Sequence, residues 1–224
     1  MESISPLKIQ NRKQAGYLLA QKLGEYKDTN TVVVGIPYGG VDVASAIAES
    51  LQLPLEIMIC RKIKDPADSS KEIGMISESE TFMHEISHDI PRDFISHQIA
   101  LLQNEIKSDR EHFYGNVAPT ELRYKTVIIA DDILASGHSM LICLESIRKH
   151  KPLKVIVAAP IVSAEAASAI SGQADEFIFL KMTSAIPSGG DYFIDFHKMN
   201  KEEVHEVLAE SRSKQKLVGS GVVK

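Results

Sequence analysis

The sequence has no tryptophan and only two cysteines among its 224 residues. Cys60 and Cys143 stand far apart, with neither the close pairing of a zinc site nor the density of a disulfide framework. A small disulfide-dependent fold is therefore excluded. We expect both cysteines to be small buried residues rather than nucleophiles.

Long apolar runs and an excess of positive charge are also missing. No apolar stretch approaches the length needed to cross a bilayer, and the polar N-terminus lacks the apolar segment of a secretory signal. The formal net charge is −5, without a basic stripe that would follow a phosphate backbone. These observations predict a cytoplasmic protein that binds neither membranes nor nucleic acid.

The apolar residues that are present alternate between two patterns. Continuous β-branched runs predict strands buried on both faces, and apolar residues at helical spacing predict amphipathic helices between them. This alternation is typical of an α/β fold with a mostly parallel central sheet flanked by helices, in which ligands bind beyond the carboxyl ends of the strands. Strands are predicted at 31–36, 55–60, 126–130, 154–159 and 176–180, and helices at 11–27, 41–51, 93–113, 141–150, 163–171 and 202–211.

The stretch 127–139, which reads VIIADDILASGHS, is the most informative part of the chain. A buried strand ends in two acids, and a loop of small residues opens a helix. Backbone N–H groups at a helix start can bind a phosphate, with the hydroxyls of Ser136 and Ser139 beside them. Asp131 and Asp132 can accept hydrogen bonds from two ribose hydroxyls. This pattern predicts a site for a phosphorylated sugar, and the alternative is an ordinary buried strand followed by an Asp-rich turn.

This segment resembles the phosphoribosyl pyrophosphate (PRPP) signature of the type I phosphoribosyltransferases. Two acids and two apolar residues precede Ala/Thr-Thr-Gly-x-Thr in that signature. Serine replaces threonine here, and His138 is bulkier than the usual residue. The resemblance implies that Asp131 and Asp132 hold the ribose and, mainly through water and PRPP, Mg²⁺. The implied site for the 5-phosphate consists of Ala135, Ser136, Gly137, His138 and Ser139.

Other segments extend the resemblance over about residues 9–208, to a bacterial group of stand-alone phosphoribosyltransferases. They are Arg12-Lys13-Gln14-Ala15-Gly16, Ile73-Gly74, Ala158-Ala159-Pro160, Ala174-Asp175-Glu176 and the aromatic-x-Asp-Phe end at Phe193 to Phe196. The resemblance implies a single domain at 1–212 with hood or lid elements at 61–92 and 181–200. It also implies a homodimer, and residues 213–224 are expected to form a flexible tail.

A second phosphate site is predicted after the first strand. Pro37, Tyr38, Gly39 and Gly40 form a loop before a helix, and glycines let a backbone approach a ligand closely. In type I phosphoribosyltransferases the corresponding loop holds pyrophosphate, often through a strained or cis peptide. Tyr38 stands where close relatives often carry arginine. An ordinary Gly-Gly turn is the alternative.

Arg61 and Lys62 are predicted to lie at the end of the second strand. Two cations there can neutralise pyrophosphate and the charge that develops on it as it leaves. Orotate-type transferases have a similar cluster. Residues 64–74 would then be a mobile lid over the reaction centre. The alternative is a solvated strand end.

Two further patterns remain. Gly190, Tyr192 and Phe193 are predicted either to form a hood that stacks on an acceptor or to belong to an aromatic core cluster. His84-Glu85-Ile86-Ser87-His88 matches a zinc pattern, but Pro91 closes the segment soon afterwards and we interpret the match as chance.

The resemblance implies transfer of the 5-phosphoribosyl group from PRPP to a small nitrogenous acceptor, such as a nucleobase, with release of pyrophosphate. The catalytic residues would be Arg61, Lys62, Asp131 and Asp132. The alternative is a non-catalytic PRPP-binding regulator on the same fold, because fold alone does not fix function.

Overall fold

A computed structural model describes residues 8–69, 71–83, 90–115, 117–186, 189–197 and 199–219. Helices and strands alternate largely as the apolar pattern predicts. The strands are β1 (Thr31–Gly35), β2 (Leu55–Ile57), β3 (Cys60–Lys64), β4 (Glu72–Ser77), β5 (Thr81–Met83), β6 (Thr126–Ala130), β7 (Ile133–Leu134), β8 (Lys154–Ser163) and β9 (Glu176–Thr183). The helices are α1 (Arg12–Lys22), α2 (Gly39–Leu51), α3 (Arg92–Tyr114), α4 (His138–Lys149), α5 (Ala164–Ile170) and α6 (Lys201–Gly219).

The main sheet is parallel throughout and has its strands in the order β2, β1, β6, β8, with β9 on the far side of β8. The short strand β7 also pairs with β8 and continues the register of β6. The predicted α/β fold is therefore confirmed. The strand order reverses between β1 and β6, because β2 lies on one side of β1 whereas β6 and β8 lie on the other. This position is the topological switch point, where sheets of this kind bind ligands.

The two faces of the sheet bury alternate residues of each strand. Val33, Ile128 and Ile156 contribute to a core covered by α1, α2, α3 and α6. Their neighbours along the strands, such as Val34 and Ile129, contribute to a core covered by α4 and α5. Burial on both faces explains why these strands are continuous apolar runs in the sequence.

The predicted second strand at 55–60 is wrong in its extent. Pairing with β1 ends at Ile57, and Cys60 begins β3, which pairs antiparallel with β4. Together with β5 these strands form a separate small sheet that spans Cys60 to Met83. The apolar residues continue from β2 into β3, although β2 pairs with β1 and β3 pairs with β4. The sequence therefore shows no boundary between the two strands.

The predicted tail is also partly wrong, because α6 continues to Gly219. Arg212 Nη2 lies 3.5 Å from Glu56 Oε2, and Lys214 Nζ lies 2.9 Å from Glu49 Oε1. These ion pairs attach the last turns of the helix to β2 and α2. Residues 220–224 and the predicted chance zinc motif at 84–88 lie outside the described residues. Within the described part of the chain, no helix has the length and apolar character of a membrane span.

Candidate functional site

The two predicted phosphate loops begin side by side. Gly35, the last residue of β1, is opposite Ala130, the last residue of β6, in the parallel register. The amide of Ile36 donates a hydrogen bond of 3.2 Å to the carbonyl of Ala130. The loops at 36–40 and 131–139 therefore leave the sheet together at its switch point.

Gly39 and Gly40 are required by the close approach of these loops. A Cβ atom on Gly39 would lie 2.3 Å from Asp132 Oδ2, and one on Gly40 would lie 2.7 Å from the carbonyl oxygen of Ala130. Real Cβ atoms essentially never come this close to another atom. Both of the atoms that would clash belong to residues 130–132, which we call the acid segment. The glycines of the predicted pyrophosphate loop thus allow it to pack on the acids.

Asp131 and Asp132 interrupt the strand ladder between β6 and β7. By register they fall beside Ala159 and Pro160 of β8, and proline has no N–H to continue the ladder. The amide of Asp132 donates a hydrogen bond of 2.8 Å to the side chain of its neighbour, at Asp131 Oδ1. Burial, followed by the charge of Asp132, raises the pKa of Asp131 well above its ordinary value.

Arg12 is a site residue that the sequence places only in a family motif, without a role. Its Nε donates a hydrogen bond of 2.6 Å to Asp132 Oδ2, and the arginine is only 5% exposed. The guanidinium also donates to the carbonyl of His197 and lies 4.0 Å from the ring centroid of Phe196. One side chain from the start of α1 therefore holds an acid of the predicted ribose site and contacts the C-terminal segment.

The predicted 5-phosphate loop packs against the start of α5. Gly137 has φ of 81°, and a Cβ there would lie 3.3 Å from Cα of Ala166. The hydroxyl of Ser163 donates to the carbonyl of Ala135 and accepts 2.9 Å from the amide of Ala166. His138 then starts α4, and its amide donates a hydrogen bond of 3.5 Å to Ser136 Oγ. The predicted 5-phosphate loop thus leads into a helix N-terminus, a position that can bind anions in proteins.

The loop after β1 contains a cis peptide bond between Pro37 and Tyr38. The ring of Tyr38 packs against the core on the α2 side of the sheet. The helix α2 begins at Gly39, so both loops lead directly into a helix N-terminus.

Arg61 and Lys62 do not lie at the end of a main-sheet strand, which corrects the predicted placement. They lie within β3, where Arg61 pairs with Asp109 on α3 and lies 3.7 Å from Glu105. Asp109 is 1% exposed and also pairs with Lys201 of α6. Lys62 Nζ lies 2.8 Å from Glu72 Oε2 across the hairpin. Arg61 thus joins an ion-pair network around the buried carboxylate of Asp109, and Lys62 is the more accessible of the two cations.

The predicted aromatic hood is better described by its alternative, a core cluster. Tyr192 and Phe193 are 7% and 3% exposed, and they pack with Ile9. An isolated β-bridge between Ile9 and Phe193 places the N-terminal segment next to these two aromatic residues. Neither ring leaves a face open for an acceptor. Gly190, the third predicted hood residue, lies in a short 3₁₀ turn just before them.

A cleft of about 360 Å³ opens beside Arg12. Its walls come from the starts of α1 and α2, the segment before α6, and α6 itself. Burial is the main cause that raises the pKa of Asp42 on this wall. A count of charged residues along the sequence could not find this cleft, because its walls come from distant segments. The polar lining includes Arg12, Lys13, Asp42, Asp195, His197 and Glu203.

Within the described residues, no group of three or more acidic, histidine or cysteine side chains is arranged to hold a metal ion. The donor set at the acid segment is instead a pair of carboxylates, Asp131 and Asp132. Mg²⁺ in phosphate-transfer sites is commonly held by one or two carboxylates together with substrate phosphates and water. The pair therefore fits a Mg²⁺ ion that a phosphorylated substrate brings with it.

A family model described as "Phosphoribosyl transferase domain" matches residues 7–187. The chain belongs to this phosphoribosyl transferase family, which confirms the family predicted from the segment at 127–139. The match includes β1, β6 and both loops at the switch point.

Two proteins of Mycobacterium tuberculosis, from strains CDC 1551 and H37Rv, are each 28% identical over 202 residues and carry the name "Putative phosphoribosyl transferase". The alignments cover 87% of this chain and 45% of each relative, so the chain spans about half the length of these curated relatives.

Solved structures share the fold. TT1426 from Thermus thermophilus is 26% identical with a TM-score of 0.77, over 91% of this chain and 98% of that one. A hypothetical protein of Neisseria gonorrhoeae with bound ppGpp is 15% identical with a TM-score of 0.50, over 94% and 100% of the two chains. The second likeness shows the fold alone.

Proposed function

We propose that the protein transfers the 5-phosphoribosyl group from PRPP to a nitrogenous small molecule and releases pyrophosphate. The observation that carries this proposal is the meeting of two glycine-containing loops at the switch point, with Asp131 and Asp132 between them. A ligand with two phosphate-bearing ends and a polyhydroxylated centre suits two helix N-termini that flank a carboxylate pair.

In the proposed complex, the 5-phosphate binds the loop at 135–139 and the start of α4. The ribose hydroxyls donate to Asp131 and Asp132, and Arg12 fixes the orientation of Asp132. Asp131 and Asp132, with PRPP oxygens, would hold Mg²⁺, which neutralises charge on the pyrophosphate when it is bound.

The loop at 37–40 binds pyrophosphate through its backbone, as α2 begins there. Lys62, which pairs with Glu72 in the structure, is the cation that would turn toward the leaving group. The mobile lid at 64–74 stays a prediction, and the structure places Lys64 and residues 72–74 of it in the paired strands β3 and β4. As the bond between C1 and pyrophosphate lengthens, positive charge develops on the ribose, and an acceptor nitrogen attacks C1. The residues position the reactants and stabilise charge, so no covalent nucleophile is needed.

The cleft beside Arg12 is the proposed acceptor site. Arg12 connects it to Asp132, and a volume of about 360 Å³ suits a small molecule. Its carboxylates can accept hydrogen bonds from N–H groups, which favours a nitrogen-rich acceptor.

A non-catalytic PRPP-binding regulator is the second candidate, and one observation favours it. Both predicted leaving-group cations have partners within the protein, since Arg61 binds Asp109 and Lys62 binds Glu72. A regulator needs PRPP binding but not stabilisation of the leaving group.

Calorimetry with PRPP and Mg²⁺, together with a pyrophosphate-release assay over a panel of nucleobases and small amides, tests the proposal. The wild type should bind PRPP and release pyrophosphate with at least one acceptor. The double variant Asp131→Asn, Asp132→Asn should keep its fold but bind much more weakly. Unchanged affinity in that variant would remove the acids from the site. PRPP binding without turnover on any acceptor would instead favour the regulator.

A further inference from the structure

The two cysteines, which lie 83 residues apart in sequence, touch each other: Cys60 Sγ lies 3.4 Å from Cys143 Sγ. Cys60 begins β3 and is partly exposed, whereas Cys143 is buried on α4. Both are free thiols. A disulfide requires the sulfur–sulfur distance to fall from 3.4 Å to ~2.0 Å.

The contact between the cysteines is one of a series of regularly spaced contacts between the β3–β4 hairpin and α4. Cys60 is opposite Ser77 in the antiparallel register of β3 and β4. Ser146 lies one helical turn beyond Cys143, and its hydroxyl is 2.7 Å from that of Ser77. Lys149 pairs with Glu80 one turn further along. Three successive contacts therefore hold β3, β4 and the turn after β4 against α4, and a small approach of Cys60 toward Cys143 would bring the sulfurs within bonding distance.

We propose that Cys60 and Cys143 are an oxidation site at which a hydroperoxide forms a reversible disulfide that fastens the β3–β4 hairpin to α4. The inference is independent of the proposed PRPP chemistry, although α4 begins at the 5-phosphate loop and the hairpin carries Lys62. The disulfide would thus link two elements of the candidate site covalently.

The two cysteines have different roles in this reaction because their surroundings differ. Cys60 is the less buried of the two residues and meets the oxidant first. Cys143 is buried, so it is shielded from solvent oxidants. The hydrogen bond with Cys60 and then burial raise the pKa of its thiol, so Cys143 must give up its proton as it attacks. Its sulfur lies 3.4 Å from that of Cys60, and this position makes Cys143 the resolving residue.

With hydrogen peroxide, the Cys60 thiolate attacks one oxygen and the O–O bond breaks. The departing hydroxide takes up the proton that Cys60 lost, which leaves a sulfenic acid and one water. The sulfur of Cys143 then attacks the Cys60 sulfur, and the leaving hydroxide takes the Cys143 proton as a second water. The two thiols lose two electrons, and one peroxide is reduced to two waters.

Peptide mapping of the wild-type protein after dilute hydrogen peroxide tests the first part of the proposal. One intrachain peptide pair that joins Cys60 to Cys143 should appear, both free thiols should be lost together, and dithiothreitol should restore them. In Cys143→Ser, dimedone should instead label Cys60. Thiols that resist peroxide, oxidation of Cys60 beyond sulfenic acid while Cys143 stays free, or a disulfide between two chains would each overturn the pairing.

Hydrogen exchange of the oxidised and reduced wild type tests the second part. Amides of β3 and β4 should exchange more slowly in the oxidised protein, because the disulfide restrains opening of the hairpin from α4. Cys60→Ser treated with peroxide should show no such change. Equal exchange rates in the oxidised and reduced wild type would overturn the proposed fastening. Neither measurement requires PRPP, so its outcome is separate from that of the transferase proposal.

Discussion

Arg12 and Asp132 form an ion pair across 120 residues of sequence, with 2.6 Å between Nε and Oδ2. Arg12 is 5% exposed and Asp132 is 16% exposed, so water screens the pair only weakly. The same guanidinium stacks on Phe196. Arg12 therefore determines where an acid of the candidate ribose site points, although it lies 120 residues away in the sequence.

A double-mutant cycle with Arg12→Ala and Asp132→Asn should reveal this coupling. Urea unfolding of the two single variants and the double variant should give an interaction free energy of about 1–3 kcal/mol, because each single change leaves a buried partner alone. Arg12→Lys retains the charge but not the planar stacking, so it should recover part of the stability and of the PRPP affinity. Strictly additive effects on unfolding would contradict the coupling.

Arg61 and Lys62 should differ sharply when each is changed to alanine. Arg61→Ala leaves the buried carboxylate of Asp109 with fewer partners and should lower the free energy of unfolding by about 2 kcal/mol. Lys62 is 53% exposed, so Lys62→Ala should change stability by less than about 0.5 kcal/mol. If the protein is a transferase, Lys62→Ala should still slow pyrophosphate release by ~10²-fold. Urea unfolding and the release assay measure the two effects, and equal losses of stability would count against the assigned roles.

The raised pKa of Asp131 gives a pH dependence with a defined sign. Below its ordinary pKa of 3.8, the carboxyl is protonated in both the folded and the unfolded chain. As the pH rises from there to the raised folded-state pKa, the unfolded chain loses this proton first, and the folded state becomes relatively less stable. Asp131→Asn has no such proton, so the melting temperature of this variant should increase relative to that of the wild type as the pH rises. A constant difference between pH 4 and pH 8 would show that burial does not perturb Asp131.

The sequence predicts the central sheet well because strands buried on both faces leave continuous apolar runs. β6 begins and ends at the predicted residues, Thr126 and Ala130. The apolar pattern fails at Ile57 to Cys60, where the chain leaves one sheet for another without a polar break. The periodicity of apolar side chains indicates which residues of a strand are buried, but it does not indicate which strand they pair with.

The residues of the acid pair and of both predicted phosphate loops stand out in the sequence, since each is a local pattern of acids, glycines or small hydroxyl residues after a strand. The role of Arg12 could not be derived in this way, because an arginine on an amphipathic helix is indistinguishable from a solvated one until Asp132 is placed beside it. The contact between Cys60 and Cys143 likewise arises only when the hairpin packs on α4.

Tyr114 offers a test of the fold that should leave the candidate site unaffected. Its hydroxyl donates a hydrogen bond of 2.8 Å to Glu56 Oε2 and accepts one of 3.2 Å from the amide of Ile57. Glu56 is 5% exposed, and burial is the main cause that raises the pKa of Tyr114. Tyr114→Phe removes both hydrogen bonds at nearly constant volume and should lower the free energy of unfolding by about 1–3 kcal/mol.

Tyr17→Phe is the matched control for this change. The hydroxyl of Tyr17 donates a bond of 2.9 Å to Glu49, but Tyr17 is 42% exposed, so water replaces the lost partner. Its stability should change by less than about 0.5 kcal/mol. Thermal unfolding should therefore separate the two variants by several degrees, while both bind PRPP as the wild type does. Equal melting temperatures would show that the buried hydroxyl of Tyr114 does not stabilise the junction of β2 and α3, and weakened PRPP binding in Tyr114→Phe would show that this junction and the candidate site are coupled.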